Sequence, residues 1–190
     1  MFAKKNFYFL LIENIKDLDL KNIKIRNKFR IIYRNNKKKD DIYKLRSFRR
    51  KCKLKGVKFY VANNFSLAMS LNSDGIYLSS FNKSFNSLNY KKSNFDIIGS
   101  AHNFKEILLK KKQGCSFVLL SKLFLVSYDK NSPNLGIIKF NNFSKVSNKI
   151  IPLGGINNEN LNHLKNVCCE GFAFLSEVKK KPAKIFSRLF

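Results

Sequence analysis

Tryptophan is absent from this 190-residue chain, histidine occurs twice, cysteine four times, and acids number only twelve. Each shortage narrows the chemistry available. Cys52, Cys115, Cys168 and Cys169 show no paired spacing, and the adjacent Cys168 and Cys169 cannot form a C-x-x-C site. They read as reduced, buried thiols of a cytoplasmic protein. Imidazole chemistry is confined to His102 and His163. No apolar stretch approaches the roughly 20 residues that a membrane span requires. The run Phe7–Ile12 is too short for the apolar core of a secretion signal and lacks a small-residue cleavage site, so it reads as a buried first strand.

What the chain does have is basic charge. Thirty-eight lysines and arginines against twelve acids give a formal net charge of +26. Nucleic acid is the first partner such a charge suggests. Composition argues against it. Lysine greatly outnumbers arginine, and asparagine, isoleucine, phenylalanine and tyrosine are abundant too, all residues with AT-rich codons. Base-reading interfaces lean on the bidentate fork of arginine, which lysine lacks. The charge therefore reads as compositional drift over a solvated surface, with polyanion or RNA binding as the alternative. Hydrophobic residues make up 44%, enough for one core and one domain over residues 1–190.

Short apolar runs alternate with amphipathic ones along the chain. Strands are expected at 7–12, 29–33, 57–61, 75–78, 95–99, 116–120, 150–153 and 171–175. Helices are expected at 40–53, where Ile42, Leu45, Phe48 and Cys52 recur at helical spacing, and at 65–71, 104–112, 135–146, 158–166 and 183–190. The polar stretch 79–94 holds at most a short helix. Strand–helix alternation with continuous apolar strands argues a parallel sheet buried on both faces, and eight such units argue a short (β/α)8 barrel.

The segment Ile150-Ile151-Pro152-Leu153-Gly154-Gly155-Ile156-Asn157 runs an apolar strand into paired glycines. Glycine lets backbone N–H groups approach an anion that a Cβ would hold off. Helix 158–166 would then direct its positive N-terminal end at the same anion. With the strand Gly171–Leu175 next in order, the pattern fits the phosphate site after strands 7 and 8 of such a barrel.

The order of motifs resembles the thiamine-phosphate synthase family and its relatives, the thiazole tautomerases, from about Phe29 to Val178. Tyr33-Arg34-Asn35-Asn36, Ser73-Asp74-Gly75-Ile76-Tyr77-Leu78, Ile98-Gly99-Ser100-Ala101-His102, Leu120-Ser121-Lys122-Leu123-Phe124 and Gly154-Gly155-Ile156 carry the resemblance. It implies a transferase of thiamine biosynthesis. A hydroxymethylpyrimidine diphosphate would lose its diphosphate, and the nitrogen of a thiazole phosphate would capture the cation. Carried over residue by residue, Arg34 and Ser100 would contact diphosphate. Gly154, Gly155 and Ser176 would hold the thiazole phosphate, and Lys130 lies one residue out of register with the family's loop lysine. Magnesium is the implied cofactor, but the positions of its two carboxylates fall on Asn63 and Asn82, and neutral amides are poor magnesium ligands. The metal site thus reads as degraded, with Lys37–Lys39 as candidate compensating charge. The tautomerase histidine falls at Lys122, which leaves His102, at the end of strand 5, as the candidate acid–base group and His163 as an exposed helix residue. Glu13, Asp129 and Glu177, the acids nearest the predicted strand ends, read as solvated.

Overall fold

The computed structural model describes residues 6–23, 27–35, 40–90, 95–126, 133–146, 149–157 and 159–175. Eight strands alternate with helical segments: β1 (Phe7–Ile12), β2 (Phe29–Tyr33), β3 (Lys58–Ala62), β4 (Gly75–Leu78), β5 (Asp96–Ala101), β6 (Phe117–Ser121), β7 (Ile150–Leu153) and β8 (Gly171–Phe174). Every strand pairs in parallel with the next, and β1 pairs with β8, so the sheet closes into a (β/α)8 barrel. Among the described residues, four α-helices pack outside: α1 (Ile42–Leu54), α2 (Phe65–Ser70), α3 (Phe104–Lys112) and α4 (Gly136–Ser144).

Alternation within each strand sorts the apolar residues. Tyr8, Leu10, Ile31, Val118 and Leu120 face the helices. Phe9, Leu11, Ile32, Tyr60, Tyr77, Ile98 and Leu119 fill the barrel interior. Strands buried on both faces need no polar alternation, which is why they read as continuous apolar runs. At the N-terminal end of the barrel, Arg30 lies among the rings of Phe7, Phe9 and Phe117, with its Cζ 4.2 Å from the Phe7 centroid. Its Nη1 stands 3.3 Å from Asp96 Oδ2, and the Asp96 carboxylate also accepts from the hydroxyls of Tyr60 and Ser116.

Side-chain caps set the helix starts. Asp41 accepts from the N–H groups of Tyr43 and Lys44, Asn64 from Leu67 and Asn103 from Glu106. The first of these starts α1 two residues later than the apolar spacing suggests. Strand bounds shift by one or two residues: β5 runs on to Ala101, β3 and β6 begin one residue later than expected, and β8 ends at Phe174. Among the described residues of the polar stretch 79–94, the helical element is a 3-10 turn, Asn86–Tyr90.

The expected helix 158–166 is reduced to a 3-10 turn, Leu161–Asn166. The asparagines before it satisfy one another. Asn157 Oδ1 accepts from the N–H groups of Glu159 and Asn160, and Asn160 Oδ1 accepts from Asn157 N–H. Such local side-chain bonds compete with helix formation. Cys52 is buried and Cys115 and Cys169 partly so, but Cys168 is exposed, contrary to expectation. It lies in the link from the last 3-10 turn to β8, where its N–H donates to Asn141 Oδ1. The expected helix 183–190 lies outside the described residues.

Candidate functional site

The C-terminal ends of β2, β5, β6, β7 and β8 converge on a cavity of about 220 Å³, lined among others by Arg34, His102, Lys122, Gly154 and Gly155. Strand ends on this face are where barrel enzymes place their chemistry. Arg34 follows β2 directly, and its N–H donates to the Ile12 carbonyl at 2.8 Å, which locks the strand end beneath the guanidinium. Below the mouth, Tyr77 of β4 is fully buried, and that burial raises the pKa of its hydroxyl; a hydrogen bond with Ser100 and the charge of Arg34 pull it back. Ser100 is thus a buried partner of Tyr77 and is not among the residues lining the cavity.

Lys122 follows β6 across a cis Ser121–Lys122 peptide. The sequence marks Lys122 only as the position of the tautomerase histidine and points to Lys130 as the loop cation; a lysine one residue beyond a barrel strand is the signal for its place at the cavity. The glycine pair closes the cavity. Gly154 and Gly155 have φ of +92° and +71°, and their carbonyls accept from Phe124 N–H and Asn160 Nδ2. Neither glycine N–H has an acceptor among the described residues. Among the described residues, no carboxylate lines the cavity. Arg34, Lys122 and the two glycines thus line one cavity, bringing together cationic residues and backbone amides, the kinds of group that recognise a phosphoryl group. The 3-10 turn that replaces the expected helix is too short to add a dipole to them.

His102 is half exposed and also lines this cavity. Its N–H donates to Glu106 Oε2 at 2.8 Å, and its Nδ1 lies 3.2 Å from the same oxygen, so the ring is tied to the first turn of α3. His163 is exposed, as expected. Glu13 is partly buried rather than solvated, and its N–H donates to Asp17 Oδ2. Lys37–Lys39, Asp129, Lys130, Ser176 and Glu177 lie outside the described residues.

Asn63 and Asn82 meet. Asn63 Oδ1 accepts from Ser79 N–H at 3.0 Å and from Asn82 Nδ2 at 3.4 Å. Asn63 adopts φ 55°, a left-handed conformation that asparagine tolerates. Two amides that bond each other offer magnesium no charge, and no cluster of three His, Cys, Asp or Glu able to hold a metal occurs among the described residues. These residues do not fit the ion. Beneath the same loop, the fully buried Lys110 donates to the carbonyls of Ser79 and Asn82 and to Gln113 Oε1. Burial lowers its pKa.

A family profile described as thiamine monophosphate synthase matches residues 6–178. The chain is 25% identical over 121 residues to a thiamine-phosphate synthase of Methanococcus maripaludis, covering 63% of this chain and 58% of that protein. Over 172 residues it is 27% identical to a thiamine-phosphate synthase of Prochlorococcus marinus subsp. pastoris, covering 86% of this chain and 48% of that one. The chain thus spans about half the length of these curated relatives. Among solved structures, the thiamine phosphate pyrophosphorylase from Pyrococcus furiosus superposes with a TM-score of 0.73 at 16% identity, covering 98% of both chains. The 3-keto-L-gulonate-6-phosphate decarboxylase from Vibrio cholerae superposes with a TM-score of 0.63 at 10% identity, covering 98% of this chain and 99% of that one. At such identities the likeness is one of fold.

Proposed function

We propose that this chain, which belongs to the thiamine monophosphate synthase family, joins a hydroxymethylpyrimidine diphosphate to a thiazole phosphate. The observation that carries the reading is the cavity lined by Arg34, Lys122, Gly154 and Gly155, whose two glycine N–H groups have no acceptor among the described residues. In the reaction the bond from the pyrimidine methylene carbon to the diphosphate oxygen breaks, and the electron pair leaves with diphosphate. The thiazole nitrogen then donates its lone pair to that carbon, forming the C–N bond. The protein's task is to neutralise the departing charge and to align the nitrogen. Arg34 and Lys122 supply the positive charge, and the glycine amides hold the phosphate of the thiazole. No step is routed through magnesium, because Asn63 and Asn82 do not supply its carboxylates.

Incubation of the full chain with both substrates, followed by chromatographic detection of thiamine phosphate, tests the reading. Product formation is expected, with kcat/KM falling about 100-fold or more in Arg34→Ala and Lys122→Ala, the scale of losing one charge-stabilising donor. Absence of product, or variants as active as the parent, would refute it. A second reading, isomerisation of a thiazole, is favoured by one observation: His102 lines the same cavity, with Nδ1 3.2 Å from Glu106. It requires proton exchange at the thiazole ring that His102→Ala abolishes.

A further inference from the structure

On the outside of the barrel, far along α1 from the catalytic face, a second cavity of about 290 Å³ is lined by Arg46, Arg49, Arg50, Lys53, Leu71 and Asn72. Helices of this fold begin at the C-terminal ends of the strands and run back, so the late turns of α1 and α2 put this cavity toward the opposite end from Arg34. Only seven of the chain's thirty-eight cations are arginine, and three of the seven stand here. Lysine drift does not gather arginines.

Arg49 is buried and held by the protein: its Nε donates to the Asn72 carbonyl at 3.1 Å and its Nη2 to Asp74 Oδ1 at 3.1 Å, so the charge offered to a ligand is that of its exposed neighbours. Asp74 is otherwise committed, since its Oδ2 accepts from Phe59 N–H. Arg46, Arg50 and Lys53 are exposed and have no ion pair or hydrogen bond among the described residues. Among the described residues, no acid lines the cavity. Like charges at i and i+4, as at Arg46 and Arg50, destabilise a helix. The helix dipole offers a reason for Lys53 in the last turn, but it reaches neither Arg46 nor Arg50.

The row continues into an aromatic. At 100° per residue, Tyr43, Arg46, Arg50 and Lys53 fall within an arc of about 80° along about 15 Å of helix. Tyr43 is 75% exposed. A line of cations longer than one phosphate group, ending in an exposed ring, is the pattern that takes a sugar–phosphate backbone and stacks a base. We infer that this face of α1 binds single-stranded nucleic acid, with phosphates at Arg46, Arg50 and Lys53 and a base on Tyr43. The inference stands independently of the catalytic reading.

The experiment is fluorescence anisotropy of a labelled oligouridylate with the full chain at low and moderate salt. The variants are Arg46→Glu/Arg50→Glu, Tyr43→Ala and a charge-matched control, Lys105→Glu/Lys112→Glu, on the exposed surface of α3. Circular dichroism confirms that each variant is folded. The parent should bind with strong salt dependence. The arginine pair variant should weaken binding about tenfold or more with a shallower salt slope, Tyr43→Ala several-fold, and the control less than about threefold. Equal losses in the two charge variants would reduce the effect to net charge and overturn the inference. Absence of binding, or binding of inorganic triphosphate at this cavity without any of the oligonucleotide, would overturn it too.

Discussion

Substituting alanine for Gly155 probes the closing loop of the site more severely than removal of any side chain. Gly155 has φ +71°, and a Cβ there would lie 2.5 Å from the carbonyl oxygens of both Phe124 and Leu125. Those are backbone atoms, so relief requires moving the loop after β6 that carries Lys122. The left-handed conformation alone costs alanine about 1–2 kcal/mol. Forcing packed groups apart adds about 1–3 kcal/mol. The expected loss is therefore about 2–5 kcal/mol, a large share of a typical stability of about 5–15 kcal/mol. Gly154 is the internal control. It has φ +92°, but its Cβ would meet Lys122 Cα at 3.3 Å and Lys122 Cβ at 3.4 Å, contacts that a small shift relieves. Gly154→Ala should thus show the conformational cost with little of the steric one. Urea denaturation followed by circular dichroism, with equal slopes in all three proteins, gives the comparison. Gly155→Ala should be the less stable by at least about 1 kcal/mol. A loss below about 1 kcal/mol, or one no larger than that of Gly154→Ala, would refute the close approach of the two loops.

Asp96→Ala should destabilise the barrel by about 3–5 kcal/mol, because it strands a buried guanidinium and leaves the Tyr60 hydroxyl without its acceptor, while Ser116 keeps only the Ile97 carbonyl; a change under about 1 kcal/mol in the same denaturation assay would contradict that. Burial pushes the Cys52 and Cys115 thiols up to about 12 from 9.0, which cuts their thiolate fraction about a thousandfold at mildly alkaline pH. Peptide mapping after brief iodoacetamide treatment should find the exposed Cys168 modified while those two remain intact, and comparable labelling of all three would show that they are not shielded.

Barrel architecture was legible because each strand is a short apolar run ending in turn residues, and burial on both faces leaves nothing polar to blur the run. Arg34 and the glycine pair were legible for a related reason, since both directly follow such runs. Lys122 follows one too, but one lysine among so many carries little signal by itself. Arg30 and Asp96 each interrupt an apolar strand, yet the contact joins residues on β2 and β5 and depends on barrel closure. The helix after β7 failed for a local reason: the segment after the glycines reads as a helix start, while Asn157 and Asn160 had nearer partners for the backbone than a helix provides. Cys168 was misread because a cysteine's usual burial says nothing about a link between a turn and a strand.

The Asn63–Asn82 contact also makes the order of substitutions matter. Asn63 Oδ1 only accepts, from Ser79 N–H and Asn82 Nδ2, so an aspartate at 63 could keep both bonds. An aspartate at 82 that arrives first would turn a donor into a second acceptor facing the first, and the loop would have to rearrange around the repulsion. The two substitutions are therefore not interchangeable steps. Substitution toward acidity here thus has an open first step at position 63 and an obstructed one at position 82.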